Sequence, residues 1–416
     1  MNPESKSNST NLSIKTEYTS SISTKLSPPG SPISYTHSLN FSYRTSDLHN
    51  FYILTPWIAL LLVFIPLGYV AYANHWGGTW IFVLNFLAII PLAILFEYAT
   101  DDISLRFGQP AGDLLVVTFS NTVEIIISTT ALKVGQIQVV QASILGSIIL
   151  NLLLVLGISF TRGGISSKTQ KFNQIAAQTN SNLMALACIA LIIPAAFASS
   201  LKTPDDYNEK LLYFSYGTAI VLLIIYVLYL VFQLKTHSHI FQRGRKEIEK
   251  PKLPLVISLI LLTTVTIAVA FSEFLVGSIE EVVDTFGISR TFIGLIILPI
   301  VNKSSHLLHT LSAAAEDEID LDFTISLAAG SSMHIAFFVS PLLVILGWIT
   351  GKEMTLFFQV FETIILFISV MMTNYLVQNG ESNWLKGALF LATYIIVAIA
   401  FFFYPNIPIK PLRKNT

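Results

Sequence analysis

The sequence predicts an all-α polytopic membrane protein with about eleven transmembrane helices, arranged as two inverted five-helix repeats plus one extra N-terminal helix. Three observations support this fold class: the composition is apolar, the apolar segments are long enough to cross a bilayer, and the two halves of the chain resemble each other. Hydrophobic residues make up 53% of the chain, charged residues 12%, and the mean hydropathy is +0.66. A soluble domain is excluded because it needs more polar surface than this.

Eleven apolar segments are candidates for membrane spans, since about 20 apolar residues cross the roughly 30 Å of hydrocarbon. They lie near residues 53–73, 79–99, 111–132, 139–160, 182–200, 211–233, 255–277, 288–311, 324–349, 355–377 and 384–404. Residues 1–50 are rich in Ser, Thr and Asn without sustained apolar periodicity, which predicts a disordered tail. A single cysteine, Cys188, excludes an internal disulfide framework and a cysteine metal cluster.

The Lys and Arg residues predict the orientation of the chain in the membrane. If the N-terminal tail is cytosolic, fifteen Lys and Arg residues fall on the cytosolic side and eight on the other, with Lys303 set aside as intramembrane. The N-terminus is therefore expected in the cytosol. The predicted organisation is a tail at 1–50, a first transmembrane helix at 51–75, a first repeat at 79–233, a basic cytosolic linker at 234–254, a second repeat at 255–405 and a C-terminal tail at 406–416.

The two halves share a pattern. Residues 111–157 contain "TFSNTVEIIIS" followed by "QASILGSIILNLLLVLG", and residues 291–347 contain "PIVNKSSHLLHT" followed by "DFTISLAAGSSMHIAFFVSPLLVILG". Because an odd number of spans per unit forces the two copies into opposite orientations, this pattern is typical of secondary transporters with a site near the bilayer midplane. Small residues that merely let helices pack closely are the alternative explanation of each Gly-Ser pair.

Glu124 is the most informative residue of the first half, since an ionised group deep in a span costs roughly 2.5–3.5 kcal/mol. Asn121 and Ser120 precede it by three and four residues, so their oxygen atoms share its helix face. Carboxylate, amide and hydroxyl oxygens suit a hard cation such as Ca²⁺. A Glu paired with Lys or Arg for packing alone is the alternative.

Long segments of the chain, including "VVQASILGSIILNLLLVLG", "AAQTNSNLMALACIALIIPAAF" and "FLVGSIEEVVDTFGISRTFIGLI", resemble the fungal vacuolar calcium/proton exchangers of the cation/proton exchanger family. The resemblance covers about residues 53–405. It implies eleven spans, two inverted repeats, location in the vacuolar membrane, and export of cytosolic Ca²⁺, and of Mn²⁺ in some members, in exchange for protons. It implies no resident cofactor and no enzymatic activity, and its partners are divalent cations, protons and membrane lipid, with a homo-oligomer also open. The net charge of −1 gives no indication of nucleic-acid binding.

The family motif Gly-Asn-Ala-x-Glu occurs once per repeat, and its two glutamates bind the cation when ionised. Here the first motif reads "SNTVE", with Asn121 and Glu124 matching, whereas the second reads "NKSSH" and contains no acid. Alignment from Pro299 places His306 at the glutamate position, and alignment backward from "DFTISLAAGSS" places Leu308 there. We favour His306 because insertions fall more readily in a loop than in a span.

The site predicted from these patterns has three groups of residues. Ion-binding positions are Glu124, Asn121, Ser120, Thr118, Ser147, Ser143, Gln141, Ser305, His306 and Ser331, with Glu124, Asn121 and His306 as the direct metal ligands. Modulating positions are Lys303, His309 and His334, the last standing where relatives carry glutamine. Asp101 and Asp102 match an acidic pair of the family and are expected to line the approach of the ion.

Three interpretations remain open. In the first, Glu124 and His306 still exchange a divalent metal for protons, since imidazole titrates at about pH 6.5 and suits Mn²⁺ or Zn²⁺. In the second, Lys303 reaches Glu124 as a tethered cation, and Ca²⁺ exchange is lost or altered. In the third, the histidines form an intramembrane zinc hydrolase site. The simplest alternative for all three histidines is that they are hydrogen-bonded interior residues without an ion.

Overall fold

The computed structural model describes residues 60–107, 109–200, 204–237, 254–270, 273–315 and 321–405. These residues are almost entirely helical, which confirms the predicted fold class. The predicted tails at 1–50 and 406–416 and most of the predicted linker at 234–254 lie outside the described residues.

The helices follow one another with short connections. In chain order they are α1 (Leu60–Ala73), α2 (Gly78–Ser104), α3a (Gln109–Phe119), α3b (Thr122–Lys133), α4 (Ile137–Ser166), α5 (Gln174–Ala198), α6 (Glu209–Thr236), α7 (Leu255–Ala270), α8a (Arg290–Asn302), α8b (Ser304–Ala314), α9 (Leu321–Thr350), α10 (Val360–Val377) and α11 (Trp384–Phe402). Two short helices, Glu273–Gly277 and Ile279–Phe286, lie between α7 and α8a, and two short strands are β1 (Gln170–Lys171) and β2 (Glu381–Ser382).

Within the described ranges, nine helices are long and apolar enough to cross a membrane, or ten if the bent pair α8a and α8b is one span. Of helix α1 the described residues include the apolar part Leu60–Ala73, and the predicted count of eleven requires both the bent pair and α1 as spans. Large apolar side chains cover the outer surface, and Trp80, Trp348 and Trp384 are exposed near helix ends. Exposed apolar faces ending in tryptophans are expected where helices contact lipid and its headgroups.

The two halves share irregularities at corresponding places. The second helix of each half, α3 and α8, is interrupted in its middle, and α8a and α8b are bent by 59°. The third helix of each half contains a π-helical segment, Leu150–Val155 in α4 and Ile335–Val339 in α9. Such segments are rare and often occur at functional sites, so the paired irregularities mark the part of each half where a site is expected.

Helix α4 of the first half packs closely against α8a of the second half. The approach depends on two glycines: a Cβ added to Gly146 would collide with the backbone of Leu295, and one added to Gly294 would lie 2.8 Å from the Val139 carbonyl oxygen. Small residues at a helix crossing let the backbones approach this closely. The crossing brings the polar residues of both halves into one buried region.

Local hydrogen bonds fix several helix ends. The hydroxyl of Ser289 accepts from the backbone N–H of Phe292 at 3.0 Å and starts α8a, and Asn383 accepts from the N–H of Lys386 at 3.0 Å and starts α11. Strands β1 and β2 pair antiparallel, joining the α4–α5 connection to the α10–α11 connection. These contacts fix the ends of the spans. The interruptions and π-helical segments lie in the middles of the spans.

Candidate functional site

The interruptions of α3 and α8 place Asn121 and Lys303 at matching backbone positions. Asn121 lies directly before α3b with φ −99° and ψ 2°, and Lys303 lies directly before α8b with φ −108° and ψ 17°. Both residues are completely buried. A helix that stops and restarts inside the membrane exposes backbone dipoles there, which is how transporters form midplane ion sites.

Glu124 and His306 are each the third residue of the helix that restarts. Glu124 lies in the first turn of α3b and is 0% exposed, and the positive end of the helix dipole favours its negative charge there. His306 occupies the same place in α8b, also 0% exposed, and neither ring nitrogen has a hydrogen-bond partner among the described residues. Leu308, the other candidate, is only partly buried.

Lys303 forms an ion pair with Glu124 across the two halves. The Lys303 Nζ lies 3.1 Å from Glu124 Oε2, and both side chains are fully excluded from solvent. An ammonium and a carboxylate at this distance form a charge-assisted contact. Lys303 therefore points into the protein and not toward a lipid interface.

Asn121 connects the ion pair to α9. Its Oδ1 accepts hydrogen bonds from the Lys303 ammonium and, at 3.0 Å, from the Ser331 hydroxyl. Its Nδ2 donates to the Val117 carbonyl at 2.8 Å and lies 3.2 Å from His334 Nδ1. One amide thus links both interrupted helices and α9, with its oxygen directed at a positive charge.

Helix α4 contributes two hydroxyl groups to the same region. The Ser147 side chain faces the Glu124 carboxylate and is 0% exposed. Ser143 accepts a long contact of 3.5 Å from the Asn302 amide. Oxygen atoms from α3b, α4 and α9 therefore surround the Lys303 ammonium and the Glu124 carboxylate.

A second acid, Glu97 of α2, lies beside this group and was missed by the sequence analysis. Its carboxylate accepts a hydrogen bond from Ser305 and interacts electrostatically with Lys303. The residue is half-buried, but its Oε2 is inaccessible and has no hydrogen-bond partner in the described chain. The signal that could have found it is the one that identified Glu124, an acid inside the apolar run "PLAILFEYA".

Several residues of the predicted site lie outside this buried group. Gln141 donates at 2.9 Å to the carbonyl of Thr355, so it holds the α9–α10 connection. The hydroxyls of Thr118 and Ser120 donate to backbone carbonyls of their own helix, those of Leu114 and Val117. These three residues support α3a, α4 and their surroundings and make no contact with the ion pair that the structure records.

The three histidines have different surroundings. His334 is 1% exposed and packs against Tyr226 and Phe338 with ring centroids 5.5 Å and 4.9 Å apart. His309 is exposed, and its ring lies 5.1 Å from that of Phe323 in a tilted arrangement. Within the described ranges no three His, Cys, Asp or Glu side chains converge as a metal site. The geometry therefore gives no support to the zinc hydrolase interpretation.

The two acids at the end of α2 have different surroundings. Asp102 is 5% exposed and its Oδ2 accepts from Ser258 at 2.7 Å and from Arg106 at 3.3 Å. Asp101 is exposed. Asp102 thus joins α2 to α7 and stabilises the helix end, while a role of Asp101 in the approach of the ion stays a prediction.

Comparison with known proteins adds independent findings. The family model described as sodium/calcium exchanger protein matches residues 77–235 and 256–403. The chain is 42% identical over 361 residues to a vacuolar calcium ion transporter of Schizosaccharomyces pombe, covering 85% of this chain and 86% of that protein. It is 40% identical over 368 residues to a Ca²⁺/H⁺ antiporter of Synechocystis, covering 84% and 97% of the two chains.

Solved structures resemble this chain over most of its length. Native YfkE superposes with a TM-score of 0.71 at 34% identity, covering 83% of this chain and 100% of that one. The H⁺/Ca²⁺ exchanger CAX superposes with a TM-score of 0.64 at 14% identity, covering 85% and 89%, which shows a common fold alone. The chain therefore shares its overall fold with solved structures.

Proposed function

Because this chain belongs to the sodium/calcium exchanger protein family, we propose that it is a secondary antiporter that moves Ca²⁺ out of the cytosol in exchange for protons. Relatives named as a vacuolar calcium ion transporter and as Ca²⁺/H⁺ antiporters support this substrate and the vacuolar membrane as its location. The activity is transport and not catalysis. Mn²⁺ is a second candidate substrate, since His306 adds a nitrogen near the oxygen-lined region.

The observation that carries the proposal is the buried carboxylate of Glu124 at the interruption of α3. It is 0% exposed and lies among the Asn121 amide, the Ser147 hydroxyl and the start of α3b. An uncompensated charge would be costly there. The carboxylate is therefore stable with a cation beside it or with a proton on it, and alternation between these two states is what an antiporter requires.

In this scheme the Lys303 ammonium is an internal cation that pairs with the Glu124 carboxylate when no metal is bound. Its Nζ already lies 3.1 Å from Glu124 Oε2 and donates to Asn121 Oδ1. A divalent cation that binds these oxygens must first displace the ammonium, because two positive charges at that distance repel each other strongly in a buried site. Metal binding and the position of Lys303 are thus coupled.

The same ion pair is compatible with a second candidate function, an exchanger fold in which Ca²⁺ transport is lost or altered, which the names of the relatives do not favour. Here Lys303 remains on Glu124 permanently, and the pair satisfies both buried charges without any metal. The two candidates differ in one measurable property: only the first takes up Ca²⁺ with Lys303 in place.

The orientation and the surroundings of the protein complete the proposal. We expect the N-terminus in the cytosol, from the distribution of Lys and Arg, and membrane lipid around the exposed apolar faces of the helices. Self-association is open, and nothing in the proposed exchange cycle requires it.

Proton-gradient-driven uptake of radiolabelled Ca²⁺ into vesicles carrying the purified chain tests the proposal. We expect uptake by the unaltered chain, none by Glu124→Gln, and normal uptake by Glu362→Gln. Glu362 is the matched control, because it is a buried acid, 2% exposed, that hydrogen-bonds the backbone of Gln359 and not the ion pair. Uptake that survives Glu124→Gln would refute the proposed site, and uptake that appears only after Lys303→Ala would favour the second candidate.

A further inference from the structure

The polar region around Lys303 contains two carboxylates and not one. Glu124 lies on one side of the ammonium at 3.1 Å, and Glu97 of α2 interacts with the same ammonium. Helix α2 packs against both α8a and α8b, the two segments that flank Lys303. Two acids on different helices of the first half therefore act on one cation, Glu124 by direct contact and Glu97 electrostatically.

Glu97 has the features of a ligand and not of a structural acid. Structural buried acids in this chain have fixed partners: Asp102 accepts from Ser258 and Arg106, and Glu362 from the backbone of Gln359. Glu97 accepts from Ser305, and its Oε2 is inaccessible to solvent yet has no hydrogen-bond partner in the described chain. An ionised carboxylate with a buried oxygen that has no donor is costly unless a cation or a proton binds it.

Charge balance gives the second argument. A divalent cation held by Glu124 alone would leave one uncompensated positive charge in a region without bulk water, in addition to Lys303. Two carboxylates carry two negative charges, which neutralise a divalent cation. The Lys303 ammonium carries only one positive charge and leaves one of the two negative charges uncompensated. The pair of acids therefore matches a divalent ion better than it matches the resident ammonium.

On the basis of the proposed function, we propose that Glu97 is the second acidic ligand of the transported divalent cation, which binds between Glu97 and Glu124 where the Lys303 ammonium now lies. Ser305, which donates to Glu97, then orients that carboxylate. The Ser147 hydroxyl and the Asn121 amide oxygen supply neutral oxygen ligands on the Glu124 side. The acid thus comes from α2 of the first half, whereas α8b contributes His306 at the position that corresponds to Glu124.

Equilibrium binding of radiolabelled Ca²⁺ to the purified full-length chain tests this assignment. Glu97→Gln is expected to weaken binding at least about tenfold, as removal of one charged partner in a buried contact does. Glu97→Asp is expected to weaken it less, since the charge is kept and only the reach is shortened. Glu362→Gln, the matched buried acid, is expected to bind like the unaltered chain. A thermal unfolding curve for each variant separates lost binding from lost folding.

The Lys303 ammonium could prevent Ca²⁺ from binding to the unaltered chain. The same Glu97 and Glu362 variants are therefore also compared in a chain that carries Lys303→Met. There too, Glu97→Gln is expected to weaken binding by a similar factor. Equal affinity with and without Glu97 on both backgrounds, together with loss of binding in Glu124→Gln, would overturn the assignment of Glu97 and leave the proposed function intact. Absence of Ca²⁺ binding in every form would instead overturn the proposed function and this inference with it.

Discussion

The Lys303 ammonium and the Glu124 carboxylate are buried together, 3.1 Å apart and without solvent. Neither charge is tolerable alone at such a depth, since removing one partner of a buried ion pair typically costs about 3–5 kcal/mol. The stability of each buried charge therefore depends on the presence of the other. Its consequences can be measured as stability as well as transport.

Lys303→Met is expected to lower the melting temperature of the purified chain in a Ca²⁺-free buffer, by an amount equivalent to about 3–5 kcal/mol. The double variant Lys303→Met with Glu124→Gln is expected to recover most of that loss, because no unpaired charge remains. Ca²⁺ is expected to stabilise Lys303→Met more than the unaltered chain, since ligand that binds the folded state raises its stability. Additive effects of the two substitutions would contradict this coupling.

The sequence predicted Glu124 and Asn121 as a group because an acid inside an apolar span has an amide on the same helix face, and it added His306 because His306 stands at the corresponding place in the second half. It failed for Glu97, which lies on a different helix and is brought to Lys303 only by the packing of α2 against α8a and α8b. It also grouped Gln141 with Ser147. Six residues separate them on α4, a rotation of about 240° around the helix, and Gln141 faces Thr355 instead.

At the scale of elements, the close crossing of α4 and α8a holds the two halves in register around the site. The crossing has no room for a side chain at Gly146, because the added Cβ would meet the rigid backbone of Leu295. Gly217 of α6 is a natural control, since nothing lies within 4 Å of a Cβ placed there.

Gly146→Ala is expected to destabilise the chain by about 1–3 kcal/mol, the usual cost of overpacking a filled interior. Gly217→Ala is expected to be neutral or slightly stabilising, because alanine favours a helix more than glycine does. Thermal unfolding of the two purified variants in one detergent measures the difference. Equal melting temperatures would mean that α4 and α8a separate easily and that the crossing does not fix the site.

Hydropathy located the helices but not their interruptions. The spans at 79–99, 139–160 and 384–404 correspond to α2, α4 and α11, because a long apolar run has few alternatives to a membrane helix. The breaks before α3b and α8b were not predicted. Neither Asn121 nor Lys303 is a glycine or a proline, so no local signal marks the stop, and the break depends on the buried polar contacts around it.

The whole molecule divides into two halves that contribute unequally to one site. The first half supplies both acids and most of the oxygen atoms, and the second supplies Lys303, Ser305, Ser331 and the buried histidines. Inverted repeats place such residues near the midplane where the halves meet. The unequal contribution means that the second half carries positive charge or imidazole where the first half carries a carboxylate.

The number and direction of the spans give a prediction at this scale. With six spans before the 234–254 linker and five after it, tags in the N-terminal tail and in the linker are expected on the cytosolic side, and a C-terminal tag on the other. Protease added outside sealed vacuoles would then remove the first two tags and spare the third. Protection of the N-terminal tag together with cleavage in the linker would mean that α1 does not cross the membrane.

The proposed exchange requires that Ca²⁺ and the Lys303 ammonium compete for the Glu124 carboxylate. Equilibrium binding of radiolabelled Ca²⁺ to the purified unaltered chain, to Lys303→Met and to Glu124→Gln measures this competition. We expect Lys303→Met to bind Ca²⁺ at least about tenfold more tightly than the unaltered chain, and Glu124→Gln not to bind it. Equal affinities of the unaltered chain and Lys303→Met, or binding that persists in Glu124→Gln, would show that the ammonium and Ca²⁺ do not compete for this carboxylate.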